Sequence, residues 1–259
     1  MKRLLAWIFS AAVVLAPIHA RAVGILSPIL YQHKASGGGG STFSLVNHVI
    51  AQSTTSISVT TAPTDYTLGA GANLLTACVS DYPAGGALAS ITDSVGTNTW
   101  VNAASVVDGA TATRTTLFYA ANAHVSSTMT VSYNIGGAGQ YPTLSVQGWS
   151  GAAASSPLDV HNSNSGNSAT LSTGSVTPGQ ANELLVACLG VQFGVNGTIT
   201  VDTATSAFNM LDQAVNASGF AIGGAVADQI QTTITARNPV FTDSAGAFNM
   251  TAVIGTFKP

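Results

Sequence analysis

Residues 126–135, SSTMTVSYNI, alternate polar and apolar side chains over the length of a β-strand. Met129, Val131, Tyr133 and Ile135 fall on one face of the strand, and the polar residues between them fall on the other. A period of two is typical of a strand with one buried face and one solvated face. The stretch therefore predicts a half-buried strand of an antiparallel sheet.

The same alternation recurs in other short runs of the chain. They lie at 54–61, 141–151 and 250–257, and the segments between such runs are rich in Gly, Asn, Asp, Ser and Pro. In the run at 141–151 we expect Leu144 and Val146 to point inward and Thr143, Ser145 and Gln147 to point outward. Many short strands at this spacing predict an all-β fold, an antiparallel β-sandwich of the jelly-roll or immunoglobulin-like type.

The chain also repeats itself. The corresponding segments are ANLLTACV at 72–79 with ANELLVACL at 181–189, and LSVQGW at 144–149 with AVIGTF at 252–257. We therefore predict two related halves, at 43–152 and 153–259. Because the run at 184–189 is apolar on both faces, it needs cover on both sides. The two halves are accordingly expected to pack against each other and to unfold as one unit.

The N-terminus has the organisation of an export signal. A basic start is followed by an apolar run at 4–17 and by the small-residue motif Ala20-Arg21-Ala22. These features predict a signal peptide at 1–22, cleaved after Ala22. The mature chain is then expected to be secreted, extracellular or periplasmic, with no membrane span. It would begin with an N-terminal arm and a Gly-rich linker at 23–42.

Charge excludes one class of partner. Only 7% of the 259 residues are charged, with 7 Lys and Arg against 10 Asp and Glu. Three of the seven bases lie in the predicted signal peptide, which leaves four bases against ten acids. A nucleic-acid-binding protein needs a basic surface that neutralises phosphates. We therefore expect no nucleic-acid partner.

The sequence offers no convincing catalytic motif. The residues around Ser150 are only loosely similar to a nucleophile elbow, because the final Gly of G-x-S-x-G is missing and no helix is expected after it. Asp159 and His161 lie nearby in sequence, which would permit a triad interpretation. We predict no catalytic residue and no enzymatic activity, and a secreted hydrolase that uses Ser150 is the less favoured alternative.

No histidine pair has the spacing of a metal site, and no metal-binding residue is predicted. Oxygen ligands for a structural Ca²⁺ ion are conceivable at two turns, at Asp93 with Asn98, and at Asp159 with Asn162 and Asn164. Neither turn has the pattern of a calcium loop, and Asp and Asn commonly cap turns. No other cofactor is expected.

Cys78 and Cys188 are the only cysteines, and they occupy matching places in the repeat. Export permits a disulfide between them. Cys78 shares its strand face with Thr76 and Ser80, the less apolar face of that strand. Two buried, inert thiols are the alternative, because Cys packs as a small apolar residue.

Three aromatic residues are candidates for ligand binding. Trp100 closes a polar hairpin, Tyr82 begins a loop rich in Gly, and Trp149 ends an alternating strand. Aromatic rings can stack on sugars, and loops on a rigid sandwich commonly carry recognition. Core packing is the alternative role for each of them.

A set of collinear motifs resembles a broad group of secreted bacterial and phage-associated β-sandwich proteins of uncharacterised function. The motifs are DSVGTNTW at 93–100, YAAN at 119–122, YPTLSVQGWSG at 141–151, PLDV at 157–160, GSVTP at 174–178, NELLV at 182–186 and IQTT at 230–233. The resemblance implies a β-sandwich and a secreted or surface setting, and it implies no active site. Thr97 is an insertion in the turn of the first motif.

These observations favour a non-catalytic extracellular β-sandwich that acts as a surface, adhesive or carbohydrate-contacting module. Its expected partner is a polysaccharide or another cell-surface polymer. A self-assembling structural subunit, as in a fibre, a surface layer or a virion-like appendage, is the alternative, because low charge and long alternating strands suit association between copies of the chain.

Overall fold

The structure is a computed structural model that describes residues 43–54, 57–83, 90–110, 113–135, 140–192, 196–203, 207–215 and 222–259. The predicted signal peptide, arm and linker lie outside these residues. The described residues form sixteen strands and no helix, which confirms the predicted all-β fold. Consequently, the described part of the chain contains no helix with the length and apolarity needed to span a membrane.

Eight strands come from the first half of the chain. They are β1 (Ser44–Gln52), β2 (Ser58–Thr60), β3 (Leu74–Tyr82), β4 (Ser90–Asp93), β5 (Val101–Val107), β6 (Arg114–Ala121), β7 (Val131–Asn134) and β8 (Gln140–Ser150). They form a five-stranded sheet in the order β1-β8-β3-β6-β5 and a three-stranded sheet in the order β2-β7-β4, with antiparallel pairing throughout.

The second half supplies the other eight strands. They are β9 (Leu158–Ser168), β10 (Thr170–Ser172), β11 (Glu183–Val191), β12 (Ile199–Val201), β13 (Asn209–Ala214), β14 (Gly223–Gln231), β15 (Val240–Asp243) and β16 (Phe248–Phe257). Their sheets have the orders β9-β16-β11-β14-β13 and β10-β15-β12. Each strand of the second half thus has the same place in its sheet as the strand of the first half whose number is lower by eight. Each half is a two-sheet, eight-stranded jelly roll in which the first and last strands pair.

Strand register confirms the internal repeat residue by residue. Leu74 of β3 lies opposite Trp149 of β8, and Leu184 of β11 lies opposite Phe257 of β16. These are the residues that the two pairs of repeated segments place in correspondence. The extra Glu183 falls at the first position of β11, ahead of the repeated apolar run, so it does not shift this register.

Each half has its own core between its large and small sheets. The four apolar residues of the alternating stretch at 126–135 are all fully buried in the first of these cores. They pack against Leu75, Ala77 and Val79, which share one face of β3. The corresponding core of the second half contains Leu185, among other residues of β11, β14 and β16.

A third core lies between the two five-stranded sheets and joins the halves. It is formed by the opposite faces of the same central strands, including Leu74 and Trp149 from the first half and Leu184 and Val253 from the second. The layers are therefore a small sheet, two large sheets and a second small sheet. The halves pack against each other as expected, and all described residues belong to one compact unit.

This third core corrects one expectation about strand faces. Thr143, Ser145 and Gln147 of β8 were expected to point outward, but each is at most 3% exposed. The same holds for the face of β3 that carries Thr76 and Ser80. The large sheet of the other half covers these faces, and hydrogen bonds between the polar side chains offset the cost of their burial.

Candidate functional site

The hairpin that carries Trp100 is organised by a single carboxylate. Asp93 ends β4, and its Oδ1 accepts hydrogen bonds from the backbone N–H groups of Val95 at 3.0 Å and Gly96 at 2.9 Å. Gly96 has a φ of 76°, a left-handed conformation that glycine adopts without strain. Asp93 therefore fixes the turn that leads toward β5.

The same carboxylate fixes the orientation of Trp100. The indole Nε1–H donates to Asp93 Oδ2 at 2.8 Å, and the partly buried ring packs against the core of the first half. A ring whose polar edge is bonded and whose body is packed has little rotational freedom. Trp100 is thus held in one position next to solvent-accessible loop residues.

Asn98 attaches this hairpin to the rest of the sandwich. Its Nδ2 donates to the backbone oxygen of His124 at 2.9 Å, and its Oδ1 accepts from the backbone N–H of His124 at 2.7 Å. The inserted Thr97 is exposed, so the extra residue projects into solvent while Asn98 keeps both bonds. The loop is therefore held in place by the hydrogen bonds of Asp93 and Asn98.

An open cleft of about 350 Å³ lies beside Trp100. Its lining residues are Ser90, Ile91, Thr92, Asp93, Gly96, Asn98, Trp100 and Phe118. The lining combines aromatic and aliphatic surface with hydroxyl, amide and carboxylate groups. Such a lining offers a small ligand both apolar contact and hydrogen-bonding groups.

Tyr82 does not join Trp100 at this cleft. Trp100 precedes Val101, which lies opposite Tyr119, and Tyr119 lies opposite Thr76 of β3. Tyr82 is six residues further along β3, a distance of roughly 20 Å at the usual rise of a strand. The two rings therefore lie toward opposite ends of the large sheet.

Trp149 is not at the surface at all, which corrects its selection as a ligand-binding candidate. Its side chain is fully buried in the core between the halves, and its Nε1 donates to Thr76 Oγ1 at 3.1 Å. By alternation, Trp149 lies on the same face of β8 as Ser145 and Gln147, and the second half covers that face. Of the three candidates, only Trp100 lines the cleft.

The three residues of the alternative hydrolase hypothesis do not contact one another as a catalytic triad would. Ser150 Oγ donates to the backbone oxygen of Ser44 at 3.5 Å, His161 is exposed on β9, and Asp159 accepts from the backbone N–H of Gly179 at 2.7 Å. None of the hydrogen bonds of the described residues joins Ser150 to His161. These contacts do not form a catalytic triad.

The oxygens considered for calcium are also engaged. Asn162 and Asn164 donate through Nδ2 to the backbone oxygens of Ser175 and Ser172, at 2.8 Å and 3.0 Å. Each Oδ1 accepts from the N–H of the following residue. At the other turn, Asp93 bonds to its own loop and Asn98 bonds to the backbone of His124, as described above. Within the described ranges, no group of three or more His, Cys, Asp and Glu residues is placed to hold a metal ion.

Sequence reasoning missed a buried polar cluster between the halves. His48 Nδ1 lies 2.8 Å from Asp212 Oδ1, and Ser145 Oγ donates to Asp212 Oδ2 at 2.5 Å. Gln147 Nε2 donates to Ser145 Oγ at 2.6 Å and connects the cluster to Thr76, whose hydroxyl donates to Gln147 Oε1 at 2.8 Å. His48 and Asp212 are 164 positions apart, so no local signal points to their contact.

The surroundings of this cluster shift the pKa values of two of its groups. The hydrogen bond to Asp212 raises the pKa of His48 above its ordinary value, against the opposing effect of burial. Asp228 of β14 is fully buried, and burial raises its pKa to about 7. Because both groups are held toward their protonated forms, the cluster changes charge near neutral pH.

A second buried charged group, formed by Asp81, Arg114 and Tyr133, was also missed. Arg114 Nη2 lies 2.8 Å from Asp81 Oδ2, and the hydroxyl of Tyr133 donates to the same carboxylate. Burial raises the pKa of Tyr133, so its hydroxyl stays protonated. All three side chains lie inside the first half, where they serve structure.

Comparisons of this chain with protein-family models, with curated proteins and with solved structures found no match. The candidate site is therefore interpreted from its own geometry.

Proposed function

We propose that the protein is a non-catalytic, secreted β-sandwich that binds neutral carbohydrate of a cell surface or cell wall in the cleft beside Trp100. The observation that carries the proposal is the fixed position of the Trp100 ring in an open cleft, next to Asp93 and Asn98. Aromatic surface contacts the C–H groups of a sugar ring, while hydroxyl and amide groups contact its hydroxyls. The sequence features of an export signal support the secreted setting.

The internal bonds of the cleft favour binding without rearrangement. Asp93 holds both the turn and Trp100, and Asn98 holds the loop against His124. Side chains that are already ordered lose little entropy when a ligand arrives. A weak ligand such as a short stretch of glycan can therefore be retained by a small cleft.

The distribution of basic residues favours a neutral polymer over an anionic one. The described part of the chain has three Lys and Arg residues. Arg114 is buried against Asp81, Arg237 Nε donates to Gln229 Oε1 at 3.2 Å, and Lys258 follows the last strand, β16. None of the residues that line the cleft is basic. A strongly anionic polymer would find no complementary charge there.

Binding of the protein without residues 1–22 to neutral polysaccharides and to purified cell-wall preparations tests this proposal. We expect retention on at least one neutral polymer and at least a tenfold loss for Trp100→Ala, because the stacking surface is removed. Tyr82→Ala is the matched control, since it removes an aromatic ring at the far end of the same sheet and is expected to bind normally. Absence of binding by the unmodified protein, or equal binding by Trp100→Ala, would contradict the proposal.

A second candidate function, the self-assembling structural subunit, is favoured by one observation. Val101 and Val107 on the edge strand β5 are 40% and 41% exposed. An edge strand with exposed apolar residues offers a surface for pairing with another chain. Light scattering after size exclusion tests it, since a monomer at high protein concentration would exclude assembly.

A further inference from the structure

The two halves meet along two edges that are related by the internal repeat. At one edge, β1 of the first half contacts β13 of the second. At the other, β9 contacts β5, and these are the corresponding strands with the halves exchanged. An approximate twofold relation therefore makes the two edges comparable position by position.

The two edges have a histidine in common. His48 lies opposite Gln147 on the first edge, and His161 lies opposite Gly255 on the second. Gln147 and Gly255 in turn lie opposite the residues two positions before the cysteines of β3 and β11. His48 and His161 therefore occupy equivalent positions.

The two edges differ at the residue that faces the histidine. Asp212 lies opposite Val226, the residue that pairs with the cysteine of β11. Its counterpart is Ala104, which lies opposite Leu117, the residue that pairs with the cysteine of β3. His48 thus hydrogen-bonds a carboxylate across the interface, whereas the residue at the equivalent place beside His161 is an alanine.

A second carboxylate lies deeper on the same edge. Asp228 follows Val226 by two positions on β14, so it lies diagonally across from Asp212 and points toward the first half as Val226 does. Its side chain is fully buried, and in the described part of the chain neither carboxyl oxygen has a hydrogen-bond partner. A buried carboxylate without a donor is costly when ionised, and far less so when protonated.

We propose that His48, Asp212 and Asp228 form a proton-operated latch that holds the β1 and β13 edges of the two halves together at acidic pH and weakens as the pH rises through neutrality. The other edge lacks counterparts of Asp212 and Asp228, so the latch is absent there. The device goes beyond the proposed function and requires no ligand at Trp100.

The charge of the latch explains the direction. Below the raised pKa values His48 carries a positive charge that faces Asp212, and Asp228 carries no charge. Above those values His48 is neutral and Asp228 is negative, so a charged carboxylate without a hydrogen-bond donor is buried on the strand next to Asp212. Opening the edge to water relieves the desolvation of this carboxylate.

Among the described residues, the remaining groups that face the latch do not titrate in this range. β8 contributes Ser145 and Gln147, and β3 contributes Thr76, all of them uncharged. Tyr66 lies behind β8 with its hydroxyl on the backbone oxygen of Val146, and burial raises its pKa so that it stays protonated. The pH response is therefore assigned to the three latch residues.

The sign of the response is the same for both shifted groups. The pKa of Asp228 is raised to about 7 in the folded protein, whereas an exposed aspartate has a pKa of about 3.9. The stability that Asp228 gives to the closed edge is fully present below its pKa in the exposed state, and it is lost as the pH rises through its pKa in the folded protein. The raised pKa of His48 stabilises the closed edge further. This stability is present below about pH 6.5 and is lost as the pH rises through the pKa of His48 in the folded protein.

Hydrogen exchange of the protein without residues 1–22, with its disulfide intact, tests the latch by mass spectrometry between pH 5 and pH 8. After correction for intrinsic exchange rates, we expect the opening constant of β1 and β13 to rise about tenfold per pH unit between pH 5 and pH 7. Peptides from β5 report the other edge and are expected to change much less. β9 is not used as a control, because its Asp159 neighbours the buried Glu183, whose pKa is raised by burial and by Asp159. Equal protection of β1 and β13 at pH 5 and pH 8 would overturn the proposal.

Substitutions assign the effect to particular groups. Asp228→Asn is expected to remove the change between pH 5 and pH 7, and His48→Gln to remove the part above pH 6.5. His161→Gln is the matched control, because it changes the equivalent histidine at the edge without the carboxylates, and it is expected to leave the profile unaltered. A profile of folded Asp228→Asn identical to that of the unmodified protein would overturn the proposal. If that variant fails to fold, the comparison of the two edges in the unmodified protein still decides.

Discussion

Cys78 and Cys188 occupy equivalent positions in the two halves, and a disulfide joins them across the interface with their Cα atoms 5.6 Å apart. Of the two alternatives left open by the sequence, the structure has the disulfide and not two separate thiols. The bond links a position to its own counterpart 110 residues away, so it lies on the approximate twofold axis that relates the halves.

Reciprocal contacts on either side of the disulfide follow from this relation. Thr115 Oγ1 of the first half lies 2.7 Å from Thr251 Oγ1 of the second. The counterpart of Thr115 is Gly224, and a Cβ at Gly224 would lie 3.0 Å from a methyl carbon of Thr143, the counterpart of Thr251. The interface thus resembles that of a symmetric homodimer whose two subunits have been joined into one chain.

Removing the disulfide is expected to destabilise the whole protein. The double variant Cys78→Ala with Cys188→Ala should lose about 3 to 5 kcal/mol in the free energy of unfolding, because the bond closes a loop of more than 100 residues in the unfolded chain. Urea unfolding of the oxidised protein and of the variant measures the difference. A loss below about 0.5 kcal/mol would mean that the bond does not constrain the unfolded state.

Gly190 is expected to tolerate no side chain. A Cβ at this position of β11 would lie 2.3 Å from Thr115 Oγ1 and 2.8 Å from Ser80 Oγ, both on the first half. Gly190→Ala should therefore cost about 1 to 3 kcal/mol through overpacking of the interface. Gly109→Ala is the control, since a Cβ there meets no atom within 4 Å. Equal stability of the two variants in urea would show that the halves are less closely packed than described.

Trp149 is expected to affect stability without affecting carbohydrate binding. Trp149→Ala should cost about 3 to 5 kcal/mol, because it empties a fully buried site between the sheets. Trp149→Phe should cost less, since Phe257 occupies the equivalent place in the second half. The folded Trp149→Phe protein is predicted to bind polysaccharide like the unmodified protein, and loss of binding at full stability would return Trp149 to the ligand site.

The buried ion pair inside the first half is expected to respond unequally to single and double changes. Arg114→Met leaves the buried carboxylate of Asp81 without its cation and should cost about 3 to 5 kcal/mol. A second change, Asp81→Val, is predicted to recover part of this loss, because Val191 holds the equivalent place in the second half. Thermal unfolding of both variants measures the recovery, and a further loss in the double variant would contradict this account.

The sequence predicts the strands and the repeat because both depend on local patterns. The alternation around Tyr133 identifies a strand with one buried face, and the repeated segments place Trp149 and Phe257 at equivalent positions. These inferences need no knowledge of distant contacts.

The four-layer arrangement could not be predicted in this way. Ser145 and Gln147 resemble solvent-facing residues in the sequence, yet the second half covers them and hydrogen bonds join them to each other and to Asp212. A polar residue on a covered face has the same local pattern as a polar residue in water. The candidate site shares this difficulty, because the sequence selects both Trp100 and Trp149, and it is the burial of Trp149 between the halves that separates them.

Differential scanning calorimetry of the protein without residues 1–22 tests most directly whether the two jelly rolls form one cooperative unit. A shared core and a central disulfide predict a single transition whose calorimetric enthalpy equals its van't Hoff enthalpy. Two resolved transitions would show that the halves unfold independently and would contradict the account. A van't Hoff enthalpy near twice the calorimetric one would show that the cooperative unit is an assembly of two chains. A calorimetric enthalpy near twice the van't Hoff value would likewise show two independent halves and contradict the account.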